Sequence, residues 1–321
     1  MKRFCIIVLC ATIALPLLFT SCQKEEEGVY NPKRKISRIY TENYTDDYQQ
    51  FSPKHLSEMW EWDGDKLSAI SYYNPDYLLY RATFAYEGNR ISQIRVALTY
   101  GGDEEDGVYL YSFVYQDKMI NSIQMSYRED EGNSYQLGYE YRFTHTGDKI
   151  TRIEVFFQED YKMKGRLAPI LSPLRFVIPD FEKDYAMLDR MEKRASKGMS
   201  YDYTFELEWD KDNIVKSTLR DPEHGDEQYE YTYDTKLNPL YGGFLGVYYS
   251  GYGGGILGDG VMAPWVTSKN NILFESYTDF RGHNGTEKYS YTYEGKFPVT
   301  CTIQDNRPNE SSYRVTYYEY Q

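Results

Sequence analysis

The chain has 321 residues, with 49 Asp and Glu against 36 Lys and Arg, for a formal net charge of −13. Apolar residues make up 41% of it, enough for a core, yet 36 residues are Tyr and 15 are Phe. A phenol ring suits a half-buried strand, so a helical bundle, a coiled coil and a disordered chain are excluded, and the acidic balance excludes a nucleic-acid partner, which needs a basic surface.

Met1-Lys2-Arg3 is basic, the run from Phe4 to Phe19 is nearly all apolar, and Phe19-Thr20-Ser21-Cys22 follows. A basic start, an apolar stretch too short to span and small residues before a cut predict a signal peptide over 1–21. Small residues followed by Cys resemble the lipobox of bacterial lipoproteins. Phe19 departs from the Leu, Val or Ile that this family carries there. The resemblance implies cleavage before Cys22 and acylation of its thiol and new amine. Several acyl chains hold a protein on the outer membrane stably, where one chain binds marginally. Residues 22–34 are then a lipidated acidic tether.

A charge run such as Gln23-Lys24-Glu25-Glu26-Glu27 is ordinarily a solvated tether. It also resembles the export signal of Bacteroides-type lipoproteins, a short acidic cluster just behind the acylated Cys. That implies a signal role for Lys24, Glu25, Glu26 and Glu27 and display at the cell surface. Cys5 and Cys10 leave with the signal peptide, so Cys301 is the thiol that remains beside the acylated Cys22. No disulfide forms within the mature chain, and a lone Cys in an alternating strand reads as a small core residue.

From residue 35 to 321 the chain is one tandem array. Trp60-Glu61-Trp62-Asp63-Gly64-Asp65-Lys66-Leu67-Ser68-Ala69-Ile70 sets a pattern that recurs from Phe84, from Phe113 and from Tyr141. Later copies centre on Trp209-Asp210, Tyr233-Asp234 and Tyr293-Glu294, and Lys35-Ile36-Ser37-Arg38-Ile39 is half of one more. Each copy begins with alternating aromatic and polar residues, the period of a strand with one buried face. Acidic, Gly or Asn, and basic residues follow, suited to the positive φ of a tight hairpin turn. Two aliphatics then stand three apart, as Ile91 and Ile94 do. That spacing breaks alternation and predicts a bulge.

Two stretches interrupt the array. One, at about 164–200, holds Asp180 ahead of Phe181, Tyr185 and Leu188, which predicts a short helix near 180–195. The other opens at Asn238-Pro239 and returns at Asn270-Asn271, covering about 238–271 with a Gly-rich centre.

The repeats resemble the YD repeats of the RHS family. They are most similar to the tandem-hairpin lipoproteins of Bacteroides-type bacteria, which have a porin-like fold and no agreed activity. Asn238-Pro239 ahead of a variable loop is similar to that group as well; the helical insertion is not part of its pattern. The resemblance covers Ile36 to Gln321 and implies a fold and a location.

Read from the alternation alone, the fold is all-β. It is one long antiparallel meander of hairpins, strongly curved or barrel-like, with a short helical insertion. A transmembrane barrel needs an apolar lipid-facing band on every strand. The non-aromatic positions here are Glu, Asp, Arg, Ser and Thr, which favours a sheet whose aromatic face is the core.

Chemistry is sparse. The acidic clusters at 103–106, 129–131 and 221–227 lack the spacing of a calcium loop. The four His residues are scattered, so no metal is expected. No nucleophile elbow or phosphate-binding loop is present, and no cofactor is expected. Paired carboxylates for a glycoside hydrolase cannot be singled out by any motif. The remaining candidates are Tyr248, Tyr249, Tyr252 and Trp265 in or beside the Gly-rich loop, where exposed aromatics stack on sugars or anchor a protein. The expected function is a surface-anchored, non-catalytic lipoprotein binding a glycan, a peptide or an envelope partner. A structural or assembly role in an outer-membrane complex is the alternative.

Overall fold

The computed structural model describes residues 26–45, 50–75, 77–99, 107–128, 134–158, 199–222, 225–241, 264–307 and 310–321. The expected helix near 180–195 lies outside them.

The alternating segments form β1 (Ile36–Thr45), β2 (Gln50–Asp63), β3 (Lys66–Asn74), β4 (Tyr77–Glu87), β5 (Arg90–Leu98), β6 (Gly107–Gln116), β7 (Met119–Arg128) and β8 (Gln136–Thr146). They continue as β9 (Lys149–Gln158), β10 (Met199–Asp210), β11 (Asn213–Asp221), β12 (Gly225–Leu237), β13 (Asn270–Thr278), β14 (Asn284–Glu294), β15 (Phe297–Arg307) and β16 (Glu310–Tyr320). One helical turn, α1 (Pro264–Thr267), precedes β13. Every strand pairs antiparallel with the next, and β16 returns to pair with β1, so the meander closes into a barrel. The two rims differ. The hairpins β2–β3, β4–β5, β6–β7, β8–β9, β10–β11 and β14–β15 turn in two residues at one rim. The connection from β12 to β13, the N-terminal segment and Gln321 share that rim. The other connections, β3–β4 and β15–β16 with two residues each among them, leave and rejoin the strands at the opposite rim.

Each of the six hairpins at the first rim carries the bulge that the aliphatic spacing demands. In β4–β5, Tyr86 faces Ile91, but Ala85 faces Gln93, leaving Ser92 as the extra residue. Ile91 and Ile94 therefore both turn inward and are fully buried. The same shift separates Glu61 from Trp62, Val114 from Tyr115 and Thr144 from His145. The first turn residue takes a positive φ, +61° at Gly88 and 56° at both Asp117 and Lys211.

The rest of the motif is a clasp between neighbouring hairpins. In three of these hairpins the aromatic just before the turn hydrogen-bonds the carbonyl of the first aliphatic in the preceding hairpin. Tyr86 Oη donates to Leu67 O at 2.8 Å, Tyr115 Oη to Ile91 O at 2.6 Å, and Trp209 Nε1 to Ile150 O at 2.6 Å. The basic residue of the preceding hairpin lies over that ring and reaches the next turn. Lys66 Nζ stands 5.2 Å from the Tyr86 ring centroid and donates to Gly88 O at 2.7 Å. Arg90 repeats this with Tyr115 and Asp117 O. Aromatic, turn and basic–aliphatic pair thus work as one unit, an amphipathic ring satisfying a backbone carbonyl at the edge of the hydrophobic cluster.

Candidate functional site

Cross-strand partners share a face, so the register sorts the wall into two sides. Trp60, Ile70, Ala82, Phe84, Ile94, Tyr111, Ile123, Tyr141, Ile153 and Phe205 follow one another across β2 to β10. They join one continuous hydrophobic cluster, so this side is the interior. The other side carries ion pairs along and across the strands: Glu61 with Arg81 at 2.7 Å, Glu140 with Arg142 at 2.6 Å, and Arg220 between Glu206 and Asp226.

The interior is not apolar throughout. Tyr231, Glu275, Glu287, Asp305 and Ser312 form one row across β12 to β16. Glu275 and Asp305 are buried. Like charges directly opposite one another are unfavourable, and Tyr289 answers part of that cost. Its phenol donates to Glu287 Oε2 at 2.5 Å and lies 3.4 Å from Glu275 Oε2. Burial, and then the two carboxylates, hold the Tyr289 phenol well above its ordinary range. Glu58, 2% exposed, turns inward from β2 and accepts from Trp60 Nε1 at 2.8 Å. Among the described residues, no His, Cys, Asp and Glu group is arranged to hold a metal ion.

The N-terminal segment is a strap across the tight-turn rim. Glu27 N donates to Lys118 O at 3.0 Å, and Gly28 O accepts from Ile91 N at 2.9 Å. Glu27 Oε2 accepts from Ile120 N at 2.6 Å, and its other oxygen lies 3.0 Å from His145 Nε2. Tyr30 is buried beside Trp60 and Trp62, with ring centroids at 6.4 and 5.8 Å, and its phenol donates to Pro239 O at 2.9 Å. Burial raises its pKa well above the usual tyrosine value. Arg34 then pairs with Glu294 at 2.6 Å and Lys35 with Asp65 at 2.8 Å. The strap therefore runs from the β6–β9 side of the mouth to β14.

Of the predicted site residues, Glu26 and Glu27 belong to this strap. Glu26 lies 3.5 Å from Arg90. Cys22, Lys24, Glu25, Tyr248, Tyr249 and Tyr252 lie outside the described residues, as does the side chain of Trp265, although its backbone lies in α1. The two ends of the long insertion are fastened together. Asn238 Nδ2 donates to Ser268 O at 2.8 Å, Asn271 N donates to Asp234 Oδ1 at 3.1 Å, and Ser268 Oγ accepts from Ile214 N at 3.1 Å. Cys301 faces inward, 4% exposed, and burial pushes its thiol up to about 11.

No protein-family model matches the chain, and no curated protein matches it by sequence. Thirteen solved chains do match by structure. A porin-like protein from Bacteroides uniformis ATCC 8492 aligns with a TM-score of 0.47 at 11% identity, over 89% of this chain and 98% of its own. A porin-like protein from Bacteroides vulgatus ATCC 8482 aligns with a TM-score of 0.35 at 9% identity, over 90% and 99%. These Bacteroides porin-like proteins are distant structural neighbours of a sixteen-strand barrel.

Proposed function

We propose that the chain is an outer-membrane lipoprotein, anchored by acyl chains on Cys22 and displayed at the cell surface, whose barrel stands on the membrane and binds a partner without catalysis. One observation carries this reading: the wall has its apolar side chains inside and its ion pairs outside. A barrel that crosses a bilayer needs the reverse on its lipid face, where an outward Arg or Lys at mid-depth costs about 2–4 kcal/mol. The strap adds a geometric reason. Glu26 is four residues behind Cys22, a reach of at most roughly 14 Å, so the acyl chains would hold the tight-turn rim close to the lipid headgroups. A glycan, a peptide or an envelope protein remains the class of partner. Closure of β1 on β16 removes the free sheet edge through which strand addition would occur. Tyr289 ties two of the three carboxylates of the β13–β15 row to the wall, and Glu58 accepts from Trp60, which favours a structural role for them over glycoside hydrolysis.

The test is detergent phase partition of the full chain expressed in a Bacteroides host. The acylated protein is expected in the detergent phase, and Cys22→Ser in the aqueous phase. A Cys22→Ser barrel that stays in the detergent phase would show that the wall itself is in the membrane. Display is read separately, by protease shaving of intact cells. Glu25→Ala is the informative variant, because Glu27 also holds the barrel.

A further inference from the structure

The outer wall changes character where the barrel closes. On β1, Arg38, Tyr40, Glu42 and Tyr44 share the outward face, and β16 sets Glu319, Tyr317, Val315 and Tyr313 opposite them. The register with β2 adds Phe51 beside Tyr44 and Leu56 beside Tyr40. Two aromatic rows therefore cross the seam. In the row farther from the tight-turn rim, the Tyr44 and Tyr313 rings stack at 5.4 Å with planes 20° apart, and Phe51 is 56% exposed. In the other, Lys54 Nζ stands 4.0 Å from the Tyr317 centroid and 5.0 Å from that of Tyr40. Between the rows, Glu42 Oε2 accepts from Tyr317 Oη at 3.2 Å. Beyond them, Arg38 and Glu319 approach to 3.6 Å.

These rings point away from the core, so core packing does not explain them. Four residues along a strand separate Tyr40 from Tyr44, which puts the rows roughly 13 Å apart, about the length of a di- or trisaccharide. A sugar presents flat C–H faces that lie on aromatic planes and rims of hydroxyls that hydrogen-bond carboxylates, ammonium and guanidinium groups. The seam alternates these two kinds of group at that spacing. Its charges balance locally, Arg38 and Lys54 against Glu42 and Glu319, while the chain carries −13 overall. Both facts favour an uncharged ligand over a polyanion.

We propose that the β16–β1–β2 seam binds a neutral oligosaccharide laid along the strands, stacked on Tyr44, Tyr313 and Phe51 at one end and on Tyr40 and Tyr317 at the other. The proposal rests on the reading of the barrel as a binding protein and names its ligand class and site.

The experiment is isothermal titration of the purified protein with cellohexaose, mannohexaose, xylohexaose and maltohexaose. At least one is expected to bind, and Tyr44→Ala and Tyr313→Ala are each expected to weaken it about tenfold or more. Tyr44→Phe, which keeps the ring, should bind within about twofold of the parent on the same scale. Val114→Ala, an exposed change on β6, should do nothing. Thermal melting of each variant separates lost binding from lost fold. If no hexaose binds at millimolar concentration, the glycan assignment is overturned, and the anchored-barrel reading still stands or falls by phase partition. If a hexaose binds equally to Tyr44→Ala and Tyr313→Ala, the protein is a glycan binder and this seam is not its site.

Discussion

Glu27 and His145 meet at 3.0 Å across 118 residues of sequence, at the one clasp in the β2–β11 run where the ring before the turn is an imidazole. In the neighbouring hairpins a Tyr or Trp reaches a backbone carbonyl from that position. Here the carboxylate of Glu27 bridges the gap, accepting from the buried backbone N–H of Ile120 as well as facing His145. Glu27→Ala would strand that N–H and is expected to destabilise the barrel by about 1–3 kcal/mol. Urea unfolding measures it. Glu25→Ala, tested alongside, should leave the midpoint unchanged.

Gly28 fixes the next step of the strap. Its φ is +79°, and a Cβ there would lie 2.0 Å from Tyr115 Oη and 2.9 Å from Cζ of the same ring. Tyr115 cannot swing aside freely, because its phenol is held by Ile91 O and its ring lies under Arg90. Gly28→Ala should therefore cost about 1–3 kcal/mol from the backbone strain and the clash together. The strap should also become cleavable by protease while the barrel stays folded. Tyr115→Phe relieves the nearest contact but also removes the bond to Ile91 O, so Gly28→Ala should cost less when added to Tyr115→Phe than when added to the parent. An equal cost in both backgrounds would place it in the backbone rather than in the clash.

Cys301 lies between Tyr291 and Thr316 on the inner face. Desolvation is the main cause of its raised pKa, and only the thiolate is an effective nucleophile. The folded protein at pH 8 should react with iodoacetamide far more slowly than free cysteine, and reaction should become rapid in denaturant. Fast labelling of the native state would mean that water reaches the interior at this level. Cys301→Ser, which buries a hydroxyl in place of a thiol, should lower stability by about 1–3 kcal/mol.

The hairpins were legible in the sequence because their forces are local. Alternation, turn residues and the spacing of three between Ile120 and Ile123 report strand, turn and bulge within a dozen positions. Closure was not legible. The pairing of Tyr40 with Tyr317 joins residues at opposite ends of the chain, and no local pattern encodes it. The interior acids were half legible. Glu287 stands two positions before the inward Tyr289, so its parity places it inside, but its charge reads as solvated. The strap was missed because a run of Glu close behind a Cys in a lipobox-like setting looks like a tether, and the partners of Glu27 lie on β7 and β8. The candidate loop aromatics Tyr248, Tyr249 and Tyr252 rested on composition alone, whereas the seam tyrosines became visible only once register put two strands side by side.

The tyrosine core should make the protein sensitive to alkali in a particular way. Burial is the first cause that raises the pKa values of Tyr30, Tyr111, Tyr231, Tyr289, Tyr291 and Tyr318. It pushes Tyr86 up to about 12. In the unfolded chain these phenols lose their protons near pH 10. Above that pH the unfolded state binds fewer protons than the native state, so stability falls as pH rises. Their contribution is intact below pH 10 and is lost progressively above it, by more than about 1 kcal/mol per pH unit for each phenol that stays neutral in the fold. Cys301 acts in the same direction from its unfolded value upward. Stability should therefore fall steeply above pH 10. The tyrosinate absorbance of these residues should rise together with the loss of far-ultraviolet circular dichroism. If that absorbance rises fully while the sheet signal persists, the inner tyrosines are in contact with water and the interior is open.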